Sequence, residues 1–288
     1  MSISSKLVLG TVQFGLQYGI NSAGRPSIKQ VSDILNNAKT GGILILDTSS
    51  VYGNAEEVLG DVKAGESFKI VSKYPKCDKS VAETFNNSLK LLGINHFYGY
   101  LLHHFEVYCE NKSVWNNFVL LQKEGKVDRI GFSLYEPWEL DLILNDSIPF
   151  SLIQVPYNIF DRQFEPYFKQ LKEMDVEIHV RSTFLQGLFF KDRETLPERL
   201  QPLKKYLVQL DEYAASKGIS VGDLALNYNL HNPYIDGVLI GVDNKEQLLQ
   251  NFASVKDVEI NLDIKVENTE LLKPINWKLF PTLLKIHT

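Results

Sequence analysis

Cysteine is nearly absent. Cys77 and Cys109 are the two in 288 residues, with neither the clustering of a disulfide framework nor the spacing of a zinc or redox motif. A disulfide-stapled secreted scaffold is thereby excluded, and a reduced, cytoplasmic protein is expected. Long apolar runs are missing as well. No segment approaches the roughly 18 apolar residues of a membrane span, and the opening "MSISSKLVLGT" has too short an apolar run for a secretory signal. Basic excess is also lacking: 30 Lys and Arg stand against 35 Asp and Glu, a net charge of -5. The lysines are scattered among acids, so no stripe is offered to nucleic acid. Nor does any low-complexity linker or shift of composition divide the chain. What these absences leave is one globular domain spanning 1–288 whose partner is a small molecule.

Hydrophobic residues make up 44% of the chain, enough for a large core. They fall in short runs: "KLVLG" at 6–10, "ILILD" at 43–47, "FKIVSK" at 68–73, "FYGYLLH" at 97–103, "RIGFS" at 129–133, "SLIQV" at 151–155, "EIHVRS" at 177–182 and "DGVLIG" at 236–241. The gaps carry helical periodicity. In one, Ser27 is the expected N-cap and Gly41 the stop; in the next but one, Ser80 and Gly93 take those roles. The longest gap, 183–235, has room for two helices. Strand alternating with helix eight times predicts a parallel (β/α)8 TIM barrel, with its active site at the C-terminal ends of the strands.

Polar residues close successive runs. Asp47 ends the second, Lys73 the third, His103 the fourth, Ser133 the fifth, Gln154 lies near the end of the sixth, and Arg181 and Ser182 end the seventh. Each has an ordinary structural reading: an Asp after a strand is commonly a cap or turn residue, a closing Lys a solvated gatekeeper, a lone His a hydrogen-bonded core residue. Together with Tyr52 they form mutually dependent parts. A tyrosine titrates near ~10 and gives up its proton at neutral pH only if a cation stabilises the phenolate. Lys73 is placed to be that cation, Asp47 to keep it charged, and a neutral His103 to orient a carbonyl oxygen.

In "LDTSSVYGNAEEVLG", an Asp, a Tyr-Gly five residues on, an acidic pair and a Leu-Gly, the chain resembles the aldo-keto reductase superfamily. "VSKYP", "YLLHH", "GFS", "LIQVPYN", "LQGLF" and "GVDNKEQLLQN" resemble later family segments in the same order, from Gly10 to about Asn251. The resemblance implies an NAD(P)H-dependent oxidoreductase reducing an aldehyde or ketone, with Tyr52 as general acid, Lys73 and Asp47 tuning it, and His103 rather than His104 orienting the substrate. It implies a nicotinamide held by Gly10, Thr11, Asp47, Ser133, Gln154, Arg181, Ser182, Gly187, Gly241, Asp243, Asn244, Gln247 and Asn251. The cofactor so implied is NADP(H), with NAD(H) open to it.

Three positions depart from the family pattern. Leu134 stands where an Asn often follows the serine of the fifth strand. Arg181 stands where an aromatic residue commonly stacks on the nicotinamide. Asp243 and Gln247 stand where a Ser or Thr and an Arg often hold the 2'-phosphate. Phe14, Tyr18, Tyr135, Tyr157 and Phe184 are candidates to line the mouth. The segments "QFGLQYGINSAGRPS" and "RSTFLQGLF" resemble bacterial members found with surface-polysaccharide pathways, which points to a sugar-derived carbonyl compound. Two other readings fit the barrel: a nicotinamide-binding sensor or subunit without turnover, and a Schiff-base aldolase using Lys73, which leaves "GVDNKEQLLQN" without a role. A metal centre is not expected, because His103 and His104 are adjacent and lack a ligand set on neighbouring strand ends.

Overall fold

A computed structural model describes residues 3–18, 24–258 and 260–273. Positions 19–23, inside the 13–27 segment, and 274–288, at the end of the expected single domain, lie outside the described residues. Eight parallel strands close into a barrel in sequence order: β1 Leu7–Gly10, β2 Ile45–Asp47, β3 Lys69–Tyr74, β4 Phe97–Leu102, β5 Val127–Ser133, β6 Leu152–Pro156, β7 Glu177–Arg181 and β8 Gly237–Gly241. The ring is completed by β1 against β8, with Leu7 opposite Val238 and Gly10 opposite Gly241. All eight apolar runs are strands, and the fold is the expected (β/α)8 barrel.

Helices occupy the gaps. Ile28–Thr40 and Val81–Leu92 each begin with a reciprocal capping box, on Ser27 and Ser80, and end at Gly41 and Gly93. Gly93 takes a left-handed φ of 66, which a glycine adopts without a Cβ penalty. The longest gap holds Lys204–Ser216 and Val221–Leu230, preceded by irregular 3-10 turns. Beyond the last helix, Lys245–Ala253, the chain returns over this insertion. Ile264, Val266 and Leu272 bury themselves against Phe160, Leu185 and Leu207, and Arg162 anchors Asp263 at 2.6 Å. Among the described residues no helix is long and apolar enough to cross a membrane.

One strand departs from its run. Leu44 is 57% exposed and β2 begins only at Ile45. Inside the barrel Val71, Leu101 and Leu152 pack together with no exposure. Below them the N-terminal ends are closed by a charged cluster: Glu177 accepts from Arg129 Nε at 2.7 Å and from the Tyr98 hydroxyl, and pairs with buried His179 at 2.7 Å. Burial pushes the Glu177 carboxyl up, but His179, Tyr98 and Arg129 outweigh it and bring it down to about 2.

Outside the strands, Glu56 sits at 3% exposure in the first turn of the helix Ala55–Asp61, where Ser72 Oγ donates to its Oε1 at 2.7 Å. Burial raises its carboxyl above the usual range, against the opposing hydrogen bonds from Ser72 and Ser88 and the charge of Lys73. The folded-state value therefore lies above the unfolded one. Glu56 contributes fully below the ordinary glutamate range, and its contribution is lost as pH climbs through the raised value. Glu56→Gln keeps the shape and the acceptor but cannot ionise. Its melting temperature relative to the parent should rise between about pH 5 and about pH 8; a difference that is the same at both, by calorimetry, would show that Glu56 titrates as it does in water.

Candidate active site

A cavity of about 630 Å³ opens at the C-terminal ends of the strands. Asp47 lines it and is held from three sides. The end of β2 is fixed by Thr11, whose N–H and hydroxyl both donate to the Asp47 carbonyl, at 2.9 and 3.0 Å. Lys73 Nζ donates to Asp47 Oδ1 at 2.6 Å and Gln154 Nε2 to Oδ2 at 2.7 Å. Lys73 is 0% exposed. An ammonium without water needs three acceptors, and it has them: Asp47, the Thr48 carbonyl at 3.0 Å and the Tyr52 hydroxyl oxygen at 3.5 Å.

Because the Tyr52 oxygen accepts from Lys73, its own hydrogen is left for something in the cavity. Burial raises the Tyr52 phenol well above its ordinary value, Asp47 adds to the rise, and Arg181 opposes it. Burial likewise lowers the Lys73 ammonium, against Asp47. The phenol is thus held in its proton-bearing form, which is the form a proton donor needs.

The loop carrying Tyr52 is positioned by backbone contact. Gly53 has φ +59, and a Cβ there would stand 2.4 Å from the Gly15 carbonyl oxygen; a Cβ on Gly15 would stand 1.7 Å from the Tyr52 backbone carbonyl oxygen. The two glycines let the β1 and β2 loops lie directly on one another.

His103 follows the last residue of β4. Its ring meets Tyr52 edge-on at 5.9 Å, and its Nδ1 lies 3.1 Å from Ser49 Oγ. His104 lines the cavity too, its ring stacked on His103 at 4.7 Å. Alternation along a strand does not separate the two, since β4 ends at Leu102. The Lys76 N–H donates to His104 Nδ1 at 3.1 Å, which makes that nitrogen an acceptor and leaves Nε2 to carry the hydrogen of a neutral ring.

Most of the residues singled out from the sequence meet here. Gly10, Thr11, Asp47, Tyr52 and His103 line one side; Ser133, Gln154, Arg181 and Ser182 line the next. Gly187, Gly241, Asp243, Gln247 and Asn251 line it too, Gly241 directly opposite Gly10 in the register of β1 and β8. Lys73 stands behind Asp47 rather than on the surface of the cavity. Asn244 stands outside the lining and caps the helix Lys245–Ala253, accepting from Gln247 N at 2.9 Å. Gln247 in turn accepts from Asp243 N at 2.7 Å. Tyr18, Tyr135 and Phe184 reach the cavity, whereas Phe14 and Tyr157 do not: they are 0% and 1% exposed in the core. Gln13, Gln186 and the helix start at Ser220 are lining groups that the sequence reading did not single out. The "SVGD" capping box marks the last of these, while the first two carry no local signal.

The chain matches the Aldo/keto reductase family over residues 6–266. It belongs to that family. The reductase is 26% identical over 268 residues to the uncharacterized oxidoreductase YtbE of Bacillus subtilis, covering 88% of this chain and 89% of that one. It is 26% identical over 272 residues to the L-galactose dehydrogenase of Arabidopsis thaliana, covering 84% and 83%. The holo form of the aldo-keto reductase AKR11C1 from Bacillus halodurans has the same fold, with a TM-score of 0.71 at 20% identity over 98% of this chain and 92% of that one. The protein is accordingly an oxidoreductase of a family that generally uses nicotinamide cofactors.

The Gly15 contact yields a prediction for the reductase. Gly15→Ala pushes the Tyr52 loop off the β1 loop, so turnover should fall at least about tenfold, with a stability loss of about 1–3 kcal/mol. Steady-state kinetics and a urea midpoint check it, and parental values for both would mean that the loops do not hold Tyr52 in place.

Proposed function

We propose that this reductase converts an aldehyde or ketone to an alcohol with NADPH or NADH, Tyr52 giving the proton. The observation that carries this reading is the Lys73 ammonium, fixed by Asp47 and donating its third hydrogen bond to the Tyr52 oxygen at the edge of a deep cavity. A reduced nicotinamide, when bound, supplies the hydride. Tyr52 donates its hydroxyl proton to the oxygen of the carbonyl group as negative charge develops there. Lys73 then steadies the phenolate, and Asp47 holds the ammonium charged while it does so. His103 and His104 border the place where that oxygen sits.

The residues present fit such a cofactor. Ser133 and Gln154, buried at 2% and 1%, would hold a carboxamide: Gln154 gives one amide hydrogen to Asp47 and retains its carbonyl oxygen for an N–H. Leu134 points into the core with no exposure and adds nothing to that grip. Gln13 Oε1 and Gln186 Oε1 are buried on the cavity wall without partners, as befits a groove that receives polar groups. The starts of the helices Val221–Leu230 and Lys245–Ala253 also meet the cavity, and helix N-termini favour phosphate. A cytoplasmic sugar-derived carbonyl compound is the substrate class favoured here, and the plant relative is named for a sugar.

Two expected outcomes test the reading. Tyr52→Phe deletes only the donated proton, so turnover should drop about 100-fold or more while the affinity for reduced nicotinamide, by fluorescence quenching, stays close to the parent's. Parental turnover in the variant would remove Tyr52 from the chemistry. Asp243 lines the cavity where an arginine clamp would favour a 2'-phosphate, and among the described residues Arg181 is the one Lys or Arg on the lining. NADPH should therefore be preferred over NADH by no more than about tenfold, or ~1.4 kcal/mol, with Asp243→Ser shifting the ratio toward NADPH. A parental preference of several hundredfold, or an unmoved ratio in the variant, would take Asp243 away from the 2' position.

A further inference from the structure

Arg181 has a setting unlike those of the other buried or half-buried arginines. Arg129, Arg162 and Arg193 each hold a carboxylate at 2.6–2.9 Å. Arg181 at the end of β7 holds none, although it is half-buried and is the one Lys or Arg lining the cavity among the described residues. One face of its guanidinium lies over the Tyr135 ring, 4.1 Å from the centroid, and one Nη2–H donates to the Leu134 carbonyl at 2.9 Å. A guanidinium has five N–H donors in a rigid fork, so most of this one is unspent while its plane is fixed from behind. Glu139 and Asp161 feel its charge from the protein side. Neither bonds to it: Glu139 caps the backbone at Tyr135 and Glu136, and Asp161 accepts weakly from Gln163 N. Of the two carboxylates on the cavity lining, Asp47 is already matched by Lys73 and hydrogen-bonded by Gln154, and neither it nor Asp243 forms a salt bridge with Arg181. Its field reaches Tyr52, where it opposes the rise of the phenol.

From this geometry we propose that Arg181 determines substrate specificity by binding a carboxylate on the carbonyl compound that Tyr52 protonates. The inference rests on the reading of this cavity as a carbonyl-reducing site. The stack on Tyr135 and the bond to Leu134 prevent the side chain from swinging away, so the fork meets the anion without first being ordered. Neutral sugars and alkyl aldehydes leave that fork without a partner in a partly dry cavity, which disfavours them relative to oxo acids or sugar acids of similar size.

The test compares 4-formylbenzoate with its methyl ester, an anionic and a neutral aldehyde of nearly the same shape, using the parent, Arg181→Gln and Arg181→Lys. The parent should show a higher kcat/KM for the anion by about tenfold or more, and Arg181→Gln should reduce that preference ratio about tenfold or more, to near parity. Arg181→Lys, which keeps the charge but loses the fork, should fall between them. Equal use of both aldehydes by the parent, or a preference ratio that survives in Arg181→Gln, overturns the proposal. A second readout does not depend on turnover: displacement-free titration of benzoate against the protein loaded with reduced nicotinamide, followed by cofactor fluorescence. Benzoate binding that is lost in Arg181→Gln and partly kept in Arg181→Lys upholds the role of Arg181 even if neither aldehyde is reduced, in which case it is the proton-transfer reading of Tyr52 that fails. Benzoate binding that is absent, or the same in all three proteins, overturns it whatever the kinetics show.

Discussion

A lysine with no exposure to water is the constraint on which the site depends. Desolvating an ammonium costs several kcal/mol unless every hydrogen finds an acceptor, and removing one partner of such a pair leaves a buried charge whose cost is about 3–5 kcal/mol. The acceptors come from one short stretch, Asp47 to Tyr52, and they converge only because β2 and β3 run parallel with Asp47 opposite Val71, two residues before Lys73. Thr11 on the β1 side fixes the carbonyl of Asp47, and Gln154 reaches its carboxylate from β6 on the opposite side of the ring. Closing the barrel and neutralising Lys73 are therefore coupled requirements. A shift of register in any of these strands would break the pair and turn the strand's apolar residues to the other face in the same step.

That coupling explains why so much could be read from the chain. An apolar run ending in a polar residue is unusual enough to be noticed, and six such runs in succession specify both the strands and the end of the barrel at which chemistry occurs. The helices were legible for a separate reason: Ser27, Ser80 and their glycines carry capping information in a few residues. Where the reading went astray, the deciding contacts are remote in sequence. Phe14 and Tyr157 look like mouth aromatics because they sit near strand ends, yet Tyr157 stacks on Tyr228 at 5.8 Å and is drawn into the core. Leu44 belongs to an apolar run but turns to solvent where β2 has not yet begun.

The turn after β7 shows the limit most clearly. Ser182, Leu185 and Gln186 all take positive φ, a conformation that L-residues avoid and that no composition announces. Such backbone persists only when its surroundings over-determine it; here Leu185 is buried against the insertion and Asn158 donates to the Ser182 carbonyl at 3.1 Å. The strain lies where the cavity is lined, so local rules of the chain fail at the place where tertiary structure has a use for the exception. His104 belongs to the same category, its orientation set by a backbone N–H from the preceding loop rather than by strand alternation.

Among the described residues, the cluster of Tyr98, Arg129, Glu177 and His179 closes the lower end of the barrel beneath the apolar layer of Val71, Leu101 and Leu152, and the cavity opens at the other end. Whatever lies against Asp47 must have entered through the same mouth as anything that later covers it. The architecture is that of a stack open only at the top: the occupant that goes deepest arrives first and departs last, and the sequence of arrivals and departures is dictated by the shape of the vessel before any affinity is considered.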